Sequence, residues 1–214
     1  MSIYVNYYNK IDITKKGLDY AQISISFPHN KIKSEVKILI KELYTERLFL
    51  RKMTTSDSES LFKIWSDPEV TKFMNINSFN NISQAKEMIN LLDKLSQEKR
   101  AIRYSIIELE SNQIIGSCGY NSIDFENAKV EIGYDISKAY WGKGYAPEAI
   151  SSLIEYAFNS LNINRIEAKI EPENINSIKV LRKLNFTFEG TMRKCEKSNG
   201  KFIDLSLYSK LVTD

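Results

Sequence analysis

The chain has 214 residues, of which 43% are hydrophobic, and a formal net charge of +3. This length supplies one domain with a sizeable core, and its interspersed charges, which form no polybasic run, argue against direct nucleic-acid binding. No apolar stretch is long enough to span a bilayer, and the first nine residues lack the features of a signal peptide. We therefore expect no membrane partner and a cytoplasmic location.

Histidine and cysteine are scarce in this sequence. Cys118 and Cys195 are the two cysteines, and we expect both to be small, buried, reduced residues rather than a disulfide. With so few candidate ligands, no metal site is predicted. The single His29 lies far from the informative segment described below, which argues against Ser-His-Asp or Cys-His catalysis.

Residues 1–42 differ in composition from the rest of the chain, being rich in Tyr, Asn, Ile and Lys. Pro28-His29-Asn30 indicates a break, after which apolar residues fall near helical spacing. They are Ile32, Val36, Leu39, Ile40 and Leu43. We predict an N-terminal extension over 1–42, either packed on the main domain or a partner or poorly ordered, and a main domain over 43–214.

The main domain is predicted to begin with one strand and two helices. Leu48 and Leu50 alternate with their neighbours and predict the strand. Ser56-Asp57-Ser58-Glu59 matches a capping box before a helix that Asp67-Pro68 ends, and a second helix is predicted over residues 83–98.

The second half of the domain is predicted to alternate strands with helices and to close with a hairpin. Asn174 is a candidate helix cap, Asn185 a left-handed residue after the helix, and Asn199-Gly200 the hairpin turn. Strands are predicted over residues 102–106, 114–120, 130–136, 166–170, 186–192 and 202–211. This order predicts an α+β fold with a central mixed sheet.

The most informative segment runs from Val130 to Ile150. A strand with alternating apolar residues is followed by Gly142 and Gly144, and then by an amphipathic helix with Pro147 in its first turn. Free N–H groups at such a helix start bind a phosphate or pyrophosphate, and glycines allow its close approach. An ordinary turn between a strand and a helix is the alternative.

Several motifs occur in the order typical of one family. They are Thr45-Glu46-Arg47-Leu48-Phe49-Leu50-Arg51, Ile64-Trp65-Ser66-Asp67-Pro68-Glu69-Val70, Glu131-Ile132-Gly133-Tyr134, Tyr140-Trp141-Gly142-Lys143-Gly144-Tyr145-Ala146-Pro147-Glu148-Ala149, Glu173-Asn174-Ile175-Asn176-Ser177 and Leu181-Arg182-Lys183-Leu184-Asn185-Phe186. Over residues 43–212 the chain resembles the GNAT acyltransferase superfamily, and more closely its RimJ/RimL-like branch of ribosomal-protein N-terminal acetyltransferases. The resemblance implies a central, mixed, mostly antiparallel sheet flanked by helices.

Two positions depart from the pattern of that family. Asn185 stands where glycine is usual, which a left-handed conformation accommodates because Asn tolerates it. Ala139 replaces the Gln or Arg that often begins the pyrophosphate loop, so Lys138 or Lys143 would have to supply charge there.

The resemblance implies acetyl-CoA as the acyl donor. Its pyrophosphate would lie over the amides from Trp141 to Ala146, its pantetheine arm beside Ile136, and its nucleotide near Lys183. Asn174 would approach the thioester with Ser177, although a helix cap and a solvated surface charge are the simpler roles of Asn174 and Lys183. The expected cofactor residues are Ile136, Trp141, Gly142, Lys143, Gly144, Tyr145, Ala146, Asn174, Ser177 and Lys183.

An amine attacks a thioester only when neutral, so a base must accept its proton. Glu131 is the first candidate and Glu171, at the end of the next strand, the second; a solvated charge is the alternative for Glu131. Leu181 stands near the place of the tyrosine that protonates the leaving thiolate in many relatives, so Ser177 or water is the expected proton donor.

Trp65, Asp67, Phe73 and Tyr104 are candidate walls of the acceptor site, although Trp65 has the spacing of a core residue. Three functions stay open: acetylation of a protein N-terminus, acetylation of a small amine such as a polyamine, amino acid or aminoglycoside, and a non-catalytic CoA-binding module. A monomer and a homodimer are both compatible with the sequence.

Overall fold

A computed structural model describes residues 41–198 and 200–214. The predicted N-terminal extension, apart from residues 41 and 42, lies outside the described residues. Leu43, the last residue of its helical pattern, lies in a strand, so that pattern does not continue into the main domain. Within the described ranges, no helix combines the length and apolar character that crossing a membrane requires.

The described part of the chain forms one sheet of eight strands and five α-helices. The strands are β1 (Leu43–Tyr44), β2 (Leu48–Lys52), β3 (Ile102–Glu108), β4 (Gln113–Asp124), β5 (Lys129–Ile136), β6 (Arg165–Ile170), β7 (Thr187–Ser198) and β8 (Lys201–Leu211). The helices are α1 (Ser58–Trp65), α2 (Pro68–Thr71), α3 (Ile82–Gln97), α4 (Tyr145–Asn159) and α5 (Ile175–Lys183). The predicted α+β fold class is confirmed, but two strands and three α-helices precede β3, where one strand and two helices were predicted.

The strands lie in the order β1-β2-β3-β4-β5-β6-β8-β7. Only β5 and β6 pair in parallel, so the sheet is mixed and mostly antiparallel, as predicted. Their pairing ends at Glu131 and Glu167, although β5 runs on to Ile136 and β6 to Ile170. The two strands therefore part toward their carboxyl ends, and the candidate site lies at this opening.

Two apolar cores hold the layers together. The larger core packs one face of the sheet against α4 and α5, and it includes the fully buried Tyr120 and Tyr134. The smaller core lies among α1, α2 and α3 and includes Trp65, Leu61 and Ile89. The spacing of Trp65 on its helix predicted this core role.

A buried polar network joins α1 to the sheet. The Asp135 carboxylate, with no solvent exposure, accepts hydrogen bonds from Arg103 Nη2 at 2.7 Å, Ser117 Oγ at 2.5 Å and Trp65 Nε1 at 3.2 Å. Buried charges are costly unless they are paired and hydrogen-bonded, and here both requirements are met. The network fixes the position of α1 over the strand that carries the candidate site.

Two local predictions need correction. The first helix is preceded by a 3₁₀ turn over Thr55–Asp57, and Asp57 rather than Glu59 accepts the hydrogen bond from a capping amide, that of Thr54 at 2.9 Å. Both cysteines are free, but only Cys118 is buried, whereas Cys195 is exposed on β7. The left-handed conformation predicted for Asn185 is confirmed, with φ of 58°.

Candidate active site

The glycine segment joins a strand to a helix, as its sequence predicts. After β5 ends at Ile136, a 3₁₀ turn over Lys138–Tyr140 leads to Gly142 and Gly144, which have φ values of 75° and 85°. Residues that carry a Cβ atom rarely adopt this left-handed backbone conformation, so both positions favour glycine. The amides at the start of α4 therefore remain accessible to an anion.

A cavity of about 470 Å³ lies against this loop. The size falls in the usual range of ligand sites, roughly 300–1,000 Å³. Most of the predicted cofactor residues line it: Ile136, Trp141, Gly142, Gly144, Tyr145, Ala146 and Lys183. A helix start and lysine side chains on one mostly apolar cavity suit a ligand that joins a phosphate group to an apolar arm.

One face of α5 completes the cavity, and the sequence analysis missed most of it. Asn176, Lys179, Val180 and Lys183 line the cavity at spacings of three and four residues. This spacing places side chains on one helical face, so helical periodicity counted from Lys183 would have found the other three. Lys179 adds a second positive charge.

Three of the predicted cofactor residues lie outside the cavity lining. Asn174 caps α5 by accepting the Ser177 amide at 3.2 Å, and it lines the neighbouring cleft instead. Ser177 is fully buried, and its hydroxyl accepts a hydrogen bond from Tyr134 Oη at 3.2 Å. The ammonium of Lys143 lies 5.1 Å from the ring centroid of Tyr140, at an exposed position.

A second, smaller cleft of about 230 Å³ adjoins the cavity. Most of its residues are solvent-exposed, so it is open at the surface. Its lining is Glu69, Lys72, Phe73, Trp141, Glu173, Asn174, Ile175 and Asn176. Of the predicted acceptor walls, Phe73 is among them, whereas Trp65 and Tyr104 are buried in the cores and Asp67 caps α2.

Trp141 and Asn176 line both spaces. Trp141 Nε1 donates a hydrogen bond of 2.7 Å to the carbonyl oxygen of Ile136, the last residue of β5. The indole therefore stands between the cavity and the cleft, at the point where the two strands have parted. A group bound in one space lies next to a group bound in the other.

Charged residues cover one face of β6 beside this opening. Glu167, Lys169 and Glu171 alternate along and just beyond β6, so their side chains share one face. Lys169 Nζ lies 2.6 Å from Glu131 Oε2. Although burial lowers it, the pKa of Lys169 is raised overall by the negative charge of Glu131.

Glu171 stands in a different electrostatic environment. Burial, and then the negative charges of Glu173 and Glu196, raise the pKa of the Glu171 carboxyl, while Lys72 opposes the shift. Because Glu173 and Lys72 line the open cleft, Glu171 is a carboxylate of raised basicity beside it. Within the described residues, no three His, Cys, Asp or Glu side chains are grouped to hold a metal ion.

Comparison with protein families gives a match over residues 47–187 to the acetyltransferase (GNAT) domain. The chain is 54% identical over 172 residues to p20, an uncharacterized N-acetyltransferase of Bacillus licheniformis, covering 80% of this chain and 97% of that protein. The chain therefore belongs to the GNAT acetyltransferase family, and it is an N-acetyltransferase.

Two solved structures extend the comparison. The microcin C7 self-immunity acetyltransferase MccE, solved with acetyl-CoA and AMP, is 28% identical, with a TM-score of 0.72 over 78% of this chain and 94% of that one. The ribosomal-protein-S5-alanine acetyltransferase of Vibrio fischeri is 26% identical, with a TM-score of 0.71 over 81% of this chain and 98% of that one. The relatives thus include ribosomal-protein acetyltransferases alongside other GNAT members.

Proposed function

We propose that this GNAT enzyme transfers the acetyl group of acetyl-CoA to the α-amine of a protein N-terminus. The observation that carries the proposal is the junction at Trp141 and Asn176, where a phosphate-suited cavity meets an open cleft. A donor in the cavity and an amine in the cleft would meet at this junction. Holding two reactants in such proximity is a large part of catalysis.

The residues of the larger cavity suit acetyl-CoA. The amides at Gly142 to Ala146 would hold its pyrophosphate, and Lys179 and Lys183 would attract its phosphates. Its pantetheine arm would run past Trp141 and Ile136 toward the smaller cleft. Acetyl-CoA supplies the thioester, and the protein supplies the position of the thioester and the route for the proton.

The cleft is accessible from the surface, so a polypeptide end can enter it. Glu69 and Glu173 are exposed on its rim and attract an ammonium group, while Ile175 adds exposed apolar surface. The solved ribosomal-protein-S5-alanine acetyltransferase, among the relatives, is named for a protein substrate. We infer that the chain takes the same class of acceptor.

Acetylation of a small amine is the second candidate. It is favoured by the carboxylates of Glu69, Glu171 and Glu173 near the cleft, which suit a polycation. The two candidates share donor, chemistry and base, and differ only in the acceptor.

For the proton of the attacking amine we propose Glu171 as the acceptor, with Glu131 as the alternative. The pKa of Glu171 is raised, whereas the Glu131 carboxylate is already engaged by the ammonium of Lys169. As the nitrogen–carbon bond forms and the carbon–sulfur bond breaks, the amine proton passes to the carboxylate. The leaving thiolate takes its proton from water, since Ser177, the other candidate, is fully buried and lines neither the cavity nor the cleft.

A thiol-release assay with acetyl-CoA tests the proposal. The acceptors are peptides with free N-termini, the same peptides with blocked N-termini and an internal lysine, and a set of polyamines, amino acids and aminoglycosides. We expect thiol release with free peptides only, and mass spectrometry should find the acetyl group on the α-amine. Turnover of the small amines alone would replace the first proposal with the second.

A further inference from the structure

The loop that the proposed function assigns to the pyrophosphate is held from outside by the segment between β1 and β2. Glu148, in the first turn of α4, receives hydrogen bonds from that segment on both carboxylate oxygens. Thr45 Oγ1 and the backbone amide of Arg47 donate to Oε1 at 2.6 and 2.9 Å, and Arg47 Nε donates to Oε2 at 2.7 Å.

The same guanidinium also contacts the glycine loop itself. Arg47 Nη1 donates to the carbonyl oxygen of Lys143 at 3.0 Å. Its Cζ lies 4.4 Å from the ring centroid of Tyr145, the first residue of α4. One side chain therefore contacts the residue between the two glycines, the first residue of the helix and a carboxylate one turn further on.

These contacts restrict the glycine loop and neutralise a negative charge, and both effects favour anion binding there. Two glycines with positive φ leave the loop many alternative conformations, and a bidentate guanidinium restricts them. A carboxylate in the first turn of the helix also repels a phosphate, and an arginine bound to it cancels that charge.

We infer that Arg47 is a positioning residue for the donor site, which preorganises the pyrophosphate loop and neutralises Glu148. Arg47 does not line the cavity, so it acts through Lys143, Tyr145 and Glu148 rather than on the donor itself. The inference rests on the proposed function, because it presupposes that the loop binds the pyrophosphate of CoA.

The test measures two affinities by calorimetry in the full chain, those of CoA and of pantetheine, which lacks the nucleotide and the pyrophosphate. In Arg47→Met we expect CoA to bind about tenfold more weakly, because the loop loses a charge-assisted restraint and Glu148 loses its neutralising partner. Pantetheine, which does not reach the loop, should bind as it does to the wild type. Arg47→Lys should be intermediate, since an ammonium keeps the charge but not the fork.

Arg165→Met is the matched control, because Arg165 makes an equally close ion pair with Glu189 on β7, away from the loop. It should leave both affinities unchanged. Unchanged CoA affinity in Arg47→Met, or an equal loss for CoA and pantetheine, would overturn the inference. If Arg47→Met does not fold, Arg47→Lys decides on the same measurements. Failure of the wild type to bind CoA would instead contradict the proposed function.

Discussion

The ammonium of Lys169 lies 2.6 Å from the carboxylate of Glu131, across the two strands that pair in parallel. This contact distinguishes the two candidate general bases, Glu131 and Glu171. From the sequence Glu131 is the first candidate, whereas we propose Glu171. Glu131 is engaged by a cation, whereas Glu171, two residues beyond Lys169, has a pKa raised by burial and by neighbouring negative charges. The following prediction depends on that difference.

Glu171→Gln should lower kcat by roughly 10²–10⁴-fold, the usual contribution of a general base. As pH rises through the pKa of Glu171, the kcat/KM of the wild type should rise. This rise should be absent in Glu171→Gln. Glu131→Gln, measured with the same acceptor, is the matched control and should have a smaller effect. A large loss in Glu131→Gln with full activity in Glu171→Gln would restore Glu131 as the base.

The same two variants should shift thermal stability in opposite directions. A carboxyl whose pKa is higher in the folded than in the unfolded state loses stabilisation as pH rises through the folded pKa. Glu171→Gln should therefore raise Tm at pH 8, and the gain should fade as the pH falls through the pKa of Glu171. Glu131→Gln leaves Lys169 without its carboxylate and should lower Tm at pH 8. Scanning calorimetry over pH 4–8 checks both signs.

Gly142→Val should abolish CoA binding while the domain stays folded. A Cβ at this position meets no protein atom within 4 Å, so the substitution adds only backbone strain and bulk at the phosphate site. Gly200→Val is the matched control, since Gly200 has a φ of 80°, equally open surroundings and a place in the β7–β8 turn. Unchanged CoA affinity in folded Gly142→Val would show that the phosphate binds elsewhere.

The features predicted correctly are those that depend on neighbours in the chain. The glycine turn between β5 and α4, the cap at Asn174 and the left-handed Asn185 are set by residues within one turn, so a motif is sufficient. The incorrect capping prediction arose because two overlapping segments match the capping pattern. Thr54 to Asp57 and Ser56 to Glu59 both match the pattern, and only the fold brings Arg51 against Asp57 and selects the first.

Apart from the lining face of α5, the features missed depend on contacts between residues far apart in the sequence. Arg47 and Glu148 are 101 positions apart, and Glu131 and Lys169 are 38 apart. Periodicity places each of these residues on an element but does not say which charge faces which. The order that we propose for the two candidate bases therefore depends on the arrangement of the strands.

The buried pair of Arg103 and Asp135 should be essential for stability. Asp135→Ala leaves the guanidinium of Arg103 without its carboxylate, and removing one partner of such a pair typically costs about 3–5 kcal/mol. Asp93→Ala removes the surface partner of Lys52 and should cost less than about 1 kcal/mol. Urea unfolding of both variants measures the contrast, and equal costs would contradict it.

Because Trp141 lies between the cavity and the cleft, its intrinsic fluorescence should report ligand binding. The chain has two tryptophans, and Trp65 is 2% exposed inside the helical core. In Trp65→Phe, the emission of Trp141 should change when CoA is added, and Trp141→Phe should lose this response. An unchanged spectrum in Trp65→Phe at saturating CoA would contradict the assigned donor site. Stopped-flow fluorescence on the unlabelled enzyme can then determine whether donor or acceptor binds first.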